Sequence, residues 1–261
     1  MLALCQGLFL TNNVVFIAIN GLVGLQLAPF GWMATLPVMG YVVGGALSTP
    51  LVAHSQARWG RKVSFQIGLA VAVVSAALCA WAAFSASFWL LCTATVVAGY
   101  YSANGGLYRF AAAELAKPDY REKAVSLVLA GGLLGAVAGP NLASATRTLF
   151  PVPFAGAYIA LIGVALLSML CMTAIRFEMQ PVVLNAAGQR EPGRPLSVLM
   201  RQPAFVVAIV GAALGYGVMN LLMAATPLAM QVCGFDFDAS ALVLEWLSLI
   251  HISEPTRQAE I

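Results

Sequence analysis

A handful of polar side chains stand where so apolar a chain has little routine use for them. Asn13 and Asn20 lie seven residues apart with Phe16 between them. Tyr100, Asn104 and Tyr108 follow an i, i+4, i+8 stripe beside Tyr101 and the Gly105-Gly106 pair, and Tyr216 and Asn220 repeat the i, i+4 spacing. On helices each group shares one face. Amide donors and acceptors interleaved with aromatic rings suit the binding of a neutral or weakly charged, partly apolar organic solute. The same residues would also serve as hydrogen-bonding glue between helices, and spacing leaves both uses open. Bond-making chemistry finds no comparable equipment. The histidines are His54 and His251, and Cys5, Cys79, Cys92, Cys171 and Cys233 are scattered without a CxxC pair or metal-ligand spacing. No catalytic residue, metal site or cofactor is expected.

The elements that must position these residues follow from composition. The chain is 61% hydrophobic and 9% charged over 261 residues, with a mean hydropathy of +0.89. That excess over what a soluble core needs points to a bilayer. A net charge of +3 without a long basic run argues against a nucleic-acid partner. Apolar blocks able to span about 20 residues of hydrocarbon recur near 3–27, 31–53, 63–84, 88–112, 124–146, 153–175 and 204–231, with an eighth from about 239. Without period-two alternation they read as helices, not barrel strands. The first is not a signal peptide: it has no basic n-region, and Asn12, Asn13 and Asn20 interrupt it.

Charge orients the spans. Arg58, Arg61 and Lys62, then Lys117, Arg121 and Lys123, then Arg176, Arg190, Arg194 and Arg201 fall in alternate breaks, whereas the opposite breaks hold only Arg147. The positive-inside rule puts the basic breaks and the N-terminus in the cytoplasm. The break "RFEMQPVVLNAAGQREPGRPLSVLMRQ" is rich in Pro and Gly and reads as a linker after six spans.

At "RWGRK", residues 58–62, the chain resembles the major facilitator superfamily. The R-x-G-R-K core matches that family's loop between its second and third helices, although Ala53 and Ala57 stand where the family has a Gly and an Asp. Gly60 would permit the tight turn. The fifth span's "GLLGAVAGPNLAS" resembles the family's G-x-x-x-G-P signature at Gly135, Gly139 and Pro140, with Ala143-Ser144 in place of a trailing Gly-Gly. Physically the glycines form a small-residue packing face and the proline a bend.

The resemblance implies an all-α polytopic membrane protein with the N-terminal six-helix half of such a carrier (1–175), a cytoplasmic linker (176–203) and the start of a second half (204–246). It implies alternating-access transport of a small organic solute in a bacterial inner membrane, among lipids. A drug-efflux proton antiporter of the same superfamily is the nearest alternative. A seven-helix receptor or a membrane-embedded enzyme is the remote one, since no Lys lies in the seventh span and no nucleophile–base set exists. By resemblance the first, fourth and seventh helices border the cavity, which would make Asn13, Asn20, Tyr100, Asn104, Tyr216 and Asn220 its lining. Glu114 would pair with Arg58 in a gate completed by Gly60, Arg61 and Lys62. Arg109, a turn from the end of its span, is expected to snorkel to the interface. No Asp or Glu occurs between residues 3 and 112. A proton as coupling ion would therefore need a group in the second half. Finally, residues 247–261 resemble translated adapter sequence. The expectation is a carrier truncated after its seventh to eighth helix that does not transport as it stands.

Overall fold

The computed structural model describes residues 1–175, 177 and 196–253. Most of the expected linker 176–203, and the tail 254–261, lie outside them. The chain forms two compact units, Met1–Phe177 with Met223–Ile261, and Glu178–Leu222.

In the first unit, α1 (Leu2–Leu27) ends where Ala28 turns extended ahead of Pro29, as the ring of a following proline requires. After a 3-10 turn at Gly31–Met33 comes α2 (Leu36–Phe84), with Pro37 in its first turn. Two spans separated by a nine-residue break were expected. Instead, helical hydrogen bonding runs through that break and fails at one residue, Gly60, at φ 81° and ψ 167°. A single residue in a glycine-favoured region suffices to reverse the chain. The first limb of α2 runs antiparallel to α1, with Ala34 against Gly24 and Tyr41 against Asn13. The second runs antiparallel to α6 (Ala155–Thr173), with Lys62 at Thr173 and Gln66 at Met169.

The fourth expected span, 88–112, is also interrupted. The helix α3 (Phe88–Gly105) stops, and α4 (Tyr108–Leu115) restarts after Gly106 and Leu107. Two adjacent glycines cost about 1 kcal/mol each in a helix interior. A side chain at Gly105 would also collide with the ring of Phe9. Then come α5 (Arg121–Thr146), α6, α7 (Leu196–Leu199), α8 (Pro203–Val232) and α9 (Phe237–Ser253). The last runs to Ser253, into the stretch 247–261 that resembles adapter sequence.

Among the described residues, five stretches are long and apolar enough to cross a membrane: Leu2–Leu27, Gly31–Phe84, Arg121–Thr146, Ala155–Thr173 and Pro203–Val232. The second has 54 residues, roughly 80 Å of helix against a hydrocarbon core of about 30 Å, enough for two crossings folded at Gly60. The described residues contain helices and no strand.

Close backbone approach holds this all-α membrane fold together, as expected where lipid removes the hydrophobic drive between helices. A Cβ at Gly131 would fall on the Ala3 carbonyl, and one at Gly135 on the Gly7 carbonyl. Gly139 would meet Val14 Cβ at 3.1 Å. Gly99 lies equally tight against Gly44 and Gly45. At the end shared by α4 and the start of the second α2 limb, Phe9, Phe65, Tyr101 and Tyr108 form a buried cluster, with Phe65 edge-on to Tyr108 at 4.9 Å between centroids.

In the second unit the first part of α8, up to Leu222, is apolar all round. Val207, Leu214, Val218 and Leu221 are exposed, as suits a surface turned to lipid or to other helices.

Candidate functional site

One end of the first unit carries the basic loop. Arg61, directly after the Gly60 reversal, donates through Nη2 to Glu114 Oε1 at the close of α4. Lys62 Nζ donates to the Thr173 carbonyl at 2.7 Å, placing a cation on the unsatisfied C-terminal carbonyls of α6. Arg58 lies over the Trp59 ring at 5.5 Å. The expected Arg58–Glu114 pair is therefore replaced by Arg61–Glu114. Gly60 separates the two arginines, leaving Arg58 on the last turn of one limb while Arg61 opens the limb that packs beside α4. Arg109 is exposed with its guanidinium 4.9 Å from the Phe110 ring.

The polar stripes resolve into pairs. Tyr41 Oη donates to Asn13 Oδ1 at 2.8 Å, and Tyr158 Oη donates to Asn20 Oδ1 at 2.6 Å. Between these amides Phe16 stacks on Tyr41 (5.3 Å, 30°) and meets Tyr158 edge-on at 6.1 Å. Asn20 is fully buried and its Nδ2 has no acceptor among the described residues; the same holds for Asn12 Nδ2. Asn104 accepts from Ser64 Oγ at 3.2 Å, and its Nδ2 donates to the Tyr100 carbonyl at 3.4 Å. The break after Gly105 turns Tyr108 out of the expected stripe and into the buried aromatic cluster. In the second unit Asn220 Nδ2 donates to the Tyr216 carbonyl at 2.8 Å, and Tyr216 is exposed.

At the other end of α5 lies a constellation that sequence reasoning missed. Arg147 grips Asp236 with both arms, Nη1 to Oδ1 at 2.9 Å and Nη2 to Oδ2 at 3.1 Å. It also reaches Asp238 Oδ2 at 3.8 Å, and its guanidinium stands 5.7 Å from the Phe237 ring. Ser144 Oγ donates to Asp238 Oδ1, and Asn141 Nδ2 donates to Glu245 Oε2 at 3.3 Å. The hydrogen bond from Arg147, then the Phe237 N–H, hold the Asp236 carboxyl below its ordinary range, and the same bond raises Arg147. A cavity of about 390 Å³ adjoins the pair, lined by Leu22, Arg147, Phe154, Pro227, Asp236 and Ser240 among others. A smaller one of about 210 Å³ is lined by Pro140, Asn141, Ser144, Asp238 and Glu245. The available signal was Arg147 itself, a lone cation facing a short break with two aspartates.

The family model of the Major Facilitator Superfamily matches residues 1–252. The chain belongs to that superfamily. It is 32% identical over 250 residues to the riboflavin transporter RfnT of Brucella anthropi, covering 94% of this chain and 62% of that protein. It is 28% identical over 246 residues to the uncharacterized MFS-type transporter YdeG of Bacillus subtilis, covering 87% of this chain and 56% of that one. The chain thus spans about three fifths of these relatives. Among solved structures, a D-xylose–proton symporter superposes with a TM-score of 0.66 at 15% identity, covering 97% of this chain and 65% of that one. The xylose transporter XylE from E. coli, in a partially occluded inward-open conformation, gives 0.63 at 17% identity, covering 97% and 69%. At such identities these two speak to the fold alone. The relatives agree with a transport protein rather than an enzyme.

Proposed function

We propose that the protein to which this chain belongs carries a planar, acceptor-rich organic solute of the flavin type across a bacterial inner membrane by alternating access. The basic loops and the N-terminus would lie in the cytoplasm. The relationship to a riboflavin transporter over most of the chain supports the solute class. The observation that carries the reading is the buried face of α1. There the Asn20 acceptor oxygen is already taken by Tyr158, so what it still offers is an amide N–H beside the rings of Phe16, Tyr41 and Tyr158. Such a face prefers a solute presenting carbonyl and ring-nitrogen acceptors along the edge of a flat apolar body. Asn13, Asn104 and Tyr100 are proposed to extend that lining, and Tyr216 and Asn220 are proposed to contact solute on the second unit.

Quenching of riboflavin fluorescence by the purified chain tests this directly. Saturable quenching is expected, weakened about tenfold by Asn20→Ala, the loss of one well-formed hydrogen bond, and not competed by xylose. Quenching that is absent, or untouched by Asn20→Ala, would reject the flavin-type site.

A further inference from the structure

Two amides on α1 are each held by a phenol from another helix. Asn13 Oδ1 accepts from Tyr41 on the first limb of α2, and Asn20 Oδ1 accepts from Tyr158 on the first turn of α6. Seven residues put the two amides about 10 Å apart along one face of α1, and Phe16 between them packs on both phenol rings. An asparagine amide is nearly symmetric in shape, so its neighbours decide which end carries the oxygen. At Asn20 they do decide it. The 2.6 Å separation from Tyr158 Oη is short for N–H···O and ordinary for O–H···O. Turning the amide over would also aim an N–H at Tyr158 Oη and deprive the phenol proton of this acceptor.

A free amide offers a donor and an acceptor side by side, and so pairs at two points with an imide, whose carbonyl and N–H also lie side by side. With Oδ1 occupied, the Asn20 amide keeps only its N–H pair. We propose that Tyr158 is a positioning residue that sets the specificity of this site: it fixes the Asn20 amide and cancels its acceptor, so that the site reads carbonyl and ring-nitrogen acceptors on a flat solute and ignores the solute's own N–H. Tyr41 occupies the Asn13 oxygen in the same way. The inference rests on the flavin-type reading for its solute, and one arm of its test uses no solute.

Riboflavin carries an imide N–H, and 3-methylriboflavin carries a methyl on that nitrogen instead. The purified chain should bind the two with dissociation constants within about twofold of each other by fluorescence quenching, because that N–H is not read. Tyr158→Phe frees Asn20 Oδ1 to accept from it. Riboflavin should then be favoured about fivefold or more over its methyl derivative, whatever happens to the two affinities together. A purely structural role for Tyr158 would weaken both alike and leave their ratio unmoved. Without solute, the Raman difference between the parent and Asn20→Ala reports on the phenol that loses its partner. The lower-frequency member of the tyrosine doublet should dominate in the parent, the signature of a donating hydroxyl. The inference is overturned by a parent that already prefers riboflavin about fivefold, by a Tyr158→Phe ratio equal to the parent's, or by a doublet weighted to its upper member. Riboflavin quenching that is absent, or untouched by Asn20→Ala, rejects the flavin-type solute instead, and the Raman doublet then still decides whether Tyr158 fixes the amide.

Discussion

Replacing Gly135 and Gly139 separately by alanine tests the glycine face most sharply, because the two sites differ in what can yield. At Gly135 the new methyl would sit on the Gly7 carbonyl oxygen, with Leu10 Cβ and Thr11 N both at 2.9 Å. Two of those three neighbours are backbone and cannot rotate away, so α1 and α5 must separate. Overpacking of this kind costs about 1–3 kcal/mol, and the rigid neighbours favour the upper end. Alanine recovers about 1 kcal/mol of helix propensity over glycine, leaving Gly135→Ala destabilised by about 2 kcal/mol. At Gly139 the methyl would meet Val14 Cβ at 3.1 Å and the Thr11 carbonyl at 3.2 Å. A shift of a few tenths of an ångström relieves those contacts, and the propensity gain offsets it, so Gly139→Ala should lie within about 0.5 kcal/mol of the parent. Equilibrium unfolding in mixed micelles measures both. Equal stabilities, or a larger loss at Gly139, would refute the argument that backbone proximity, not the glycine signature as a unit, sets the cost.

A Cβ at Gly60 would meet no atom within 4 Å, yet the residue's φ is 81°; Gly60→Ala should cost roughly 1–3 kcal/mol through backbone strain alone, and a neutral result by the same unfolding measurement would contradict it. A double-mutant cycle should give about 0.2–1 kcal/mol of coupling between Arg61 and Glu114 and none between Arg58 and Glu114, whereas coupling confined to Arg58 would restore the pairing expected from the family loop. Asp236 is held below its ordinary value of 3.8 by Arg147. Its contribution is therefore complete at neutral pH and lost only as pH falls through the lowered value. A carboxyl NMR titration should place that midpoint under 3.8 and show it rising in Arg147→Gln, and a midpoint at or above 3.8 in the parent would break the assignment.

Much of the fold was legible because hydrocarbon leaves the backbone few choices. A long apolar run has to be helical to satisfy its own amides, which is why α1, α5, α6 and α8 fall close to the expected spans. Hydropathy says less about where a helix pauses. Gly60 concentrates an entire hairpin into one residue, so the polar stretch 54–62 belongs to helix and not to a loop. The reverse happens at Gly105-Gly106, where an apolar stretch is broken by two residues too weak in helix propensity to resist the ring of Phe9. Both errors arise because hydropathy averages over a window, whereas glycine acts at a point.

The site divides along a similar line. Which residue types would be polar within the spans was visible, since amides and phenols in hydrocarbon demand partners. Their partners were not, because Asn13 meets Tyr41 and Asn20 meets Tyr158 across sequence separations of 28 and 138 residues, and no periodicity reports on such distances. Those pairings bear on the choice between binding and glue that spacing left open. An asparagine whose acceptor and donors are all taken within the bundle can only be glue. Asn104, bonded through Oδ1 to Ser64 and through Nδ2 to its own helix, comes near that limit. Asn20 does not, for its N–H pair is buried and unanswered among the described residues, and an unanswered buried donor costs about 1–3 kcal/mol. That cost is relieved whenever something else supplies the acceptor for part of the cycle. Of Asn13, Asn20 and Asn104, Asn20 is therefore the one at which a solute has most to contribute.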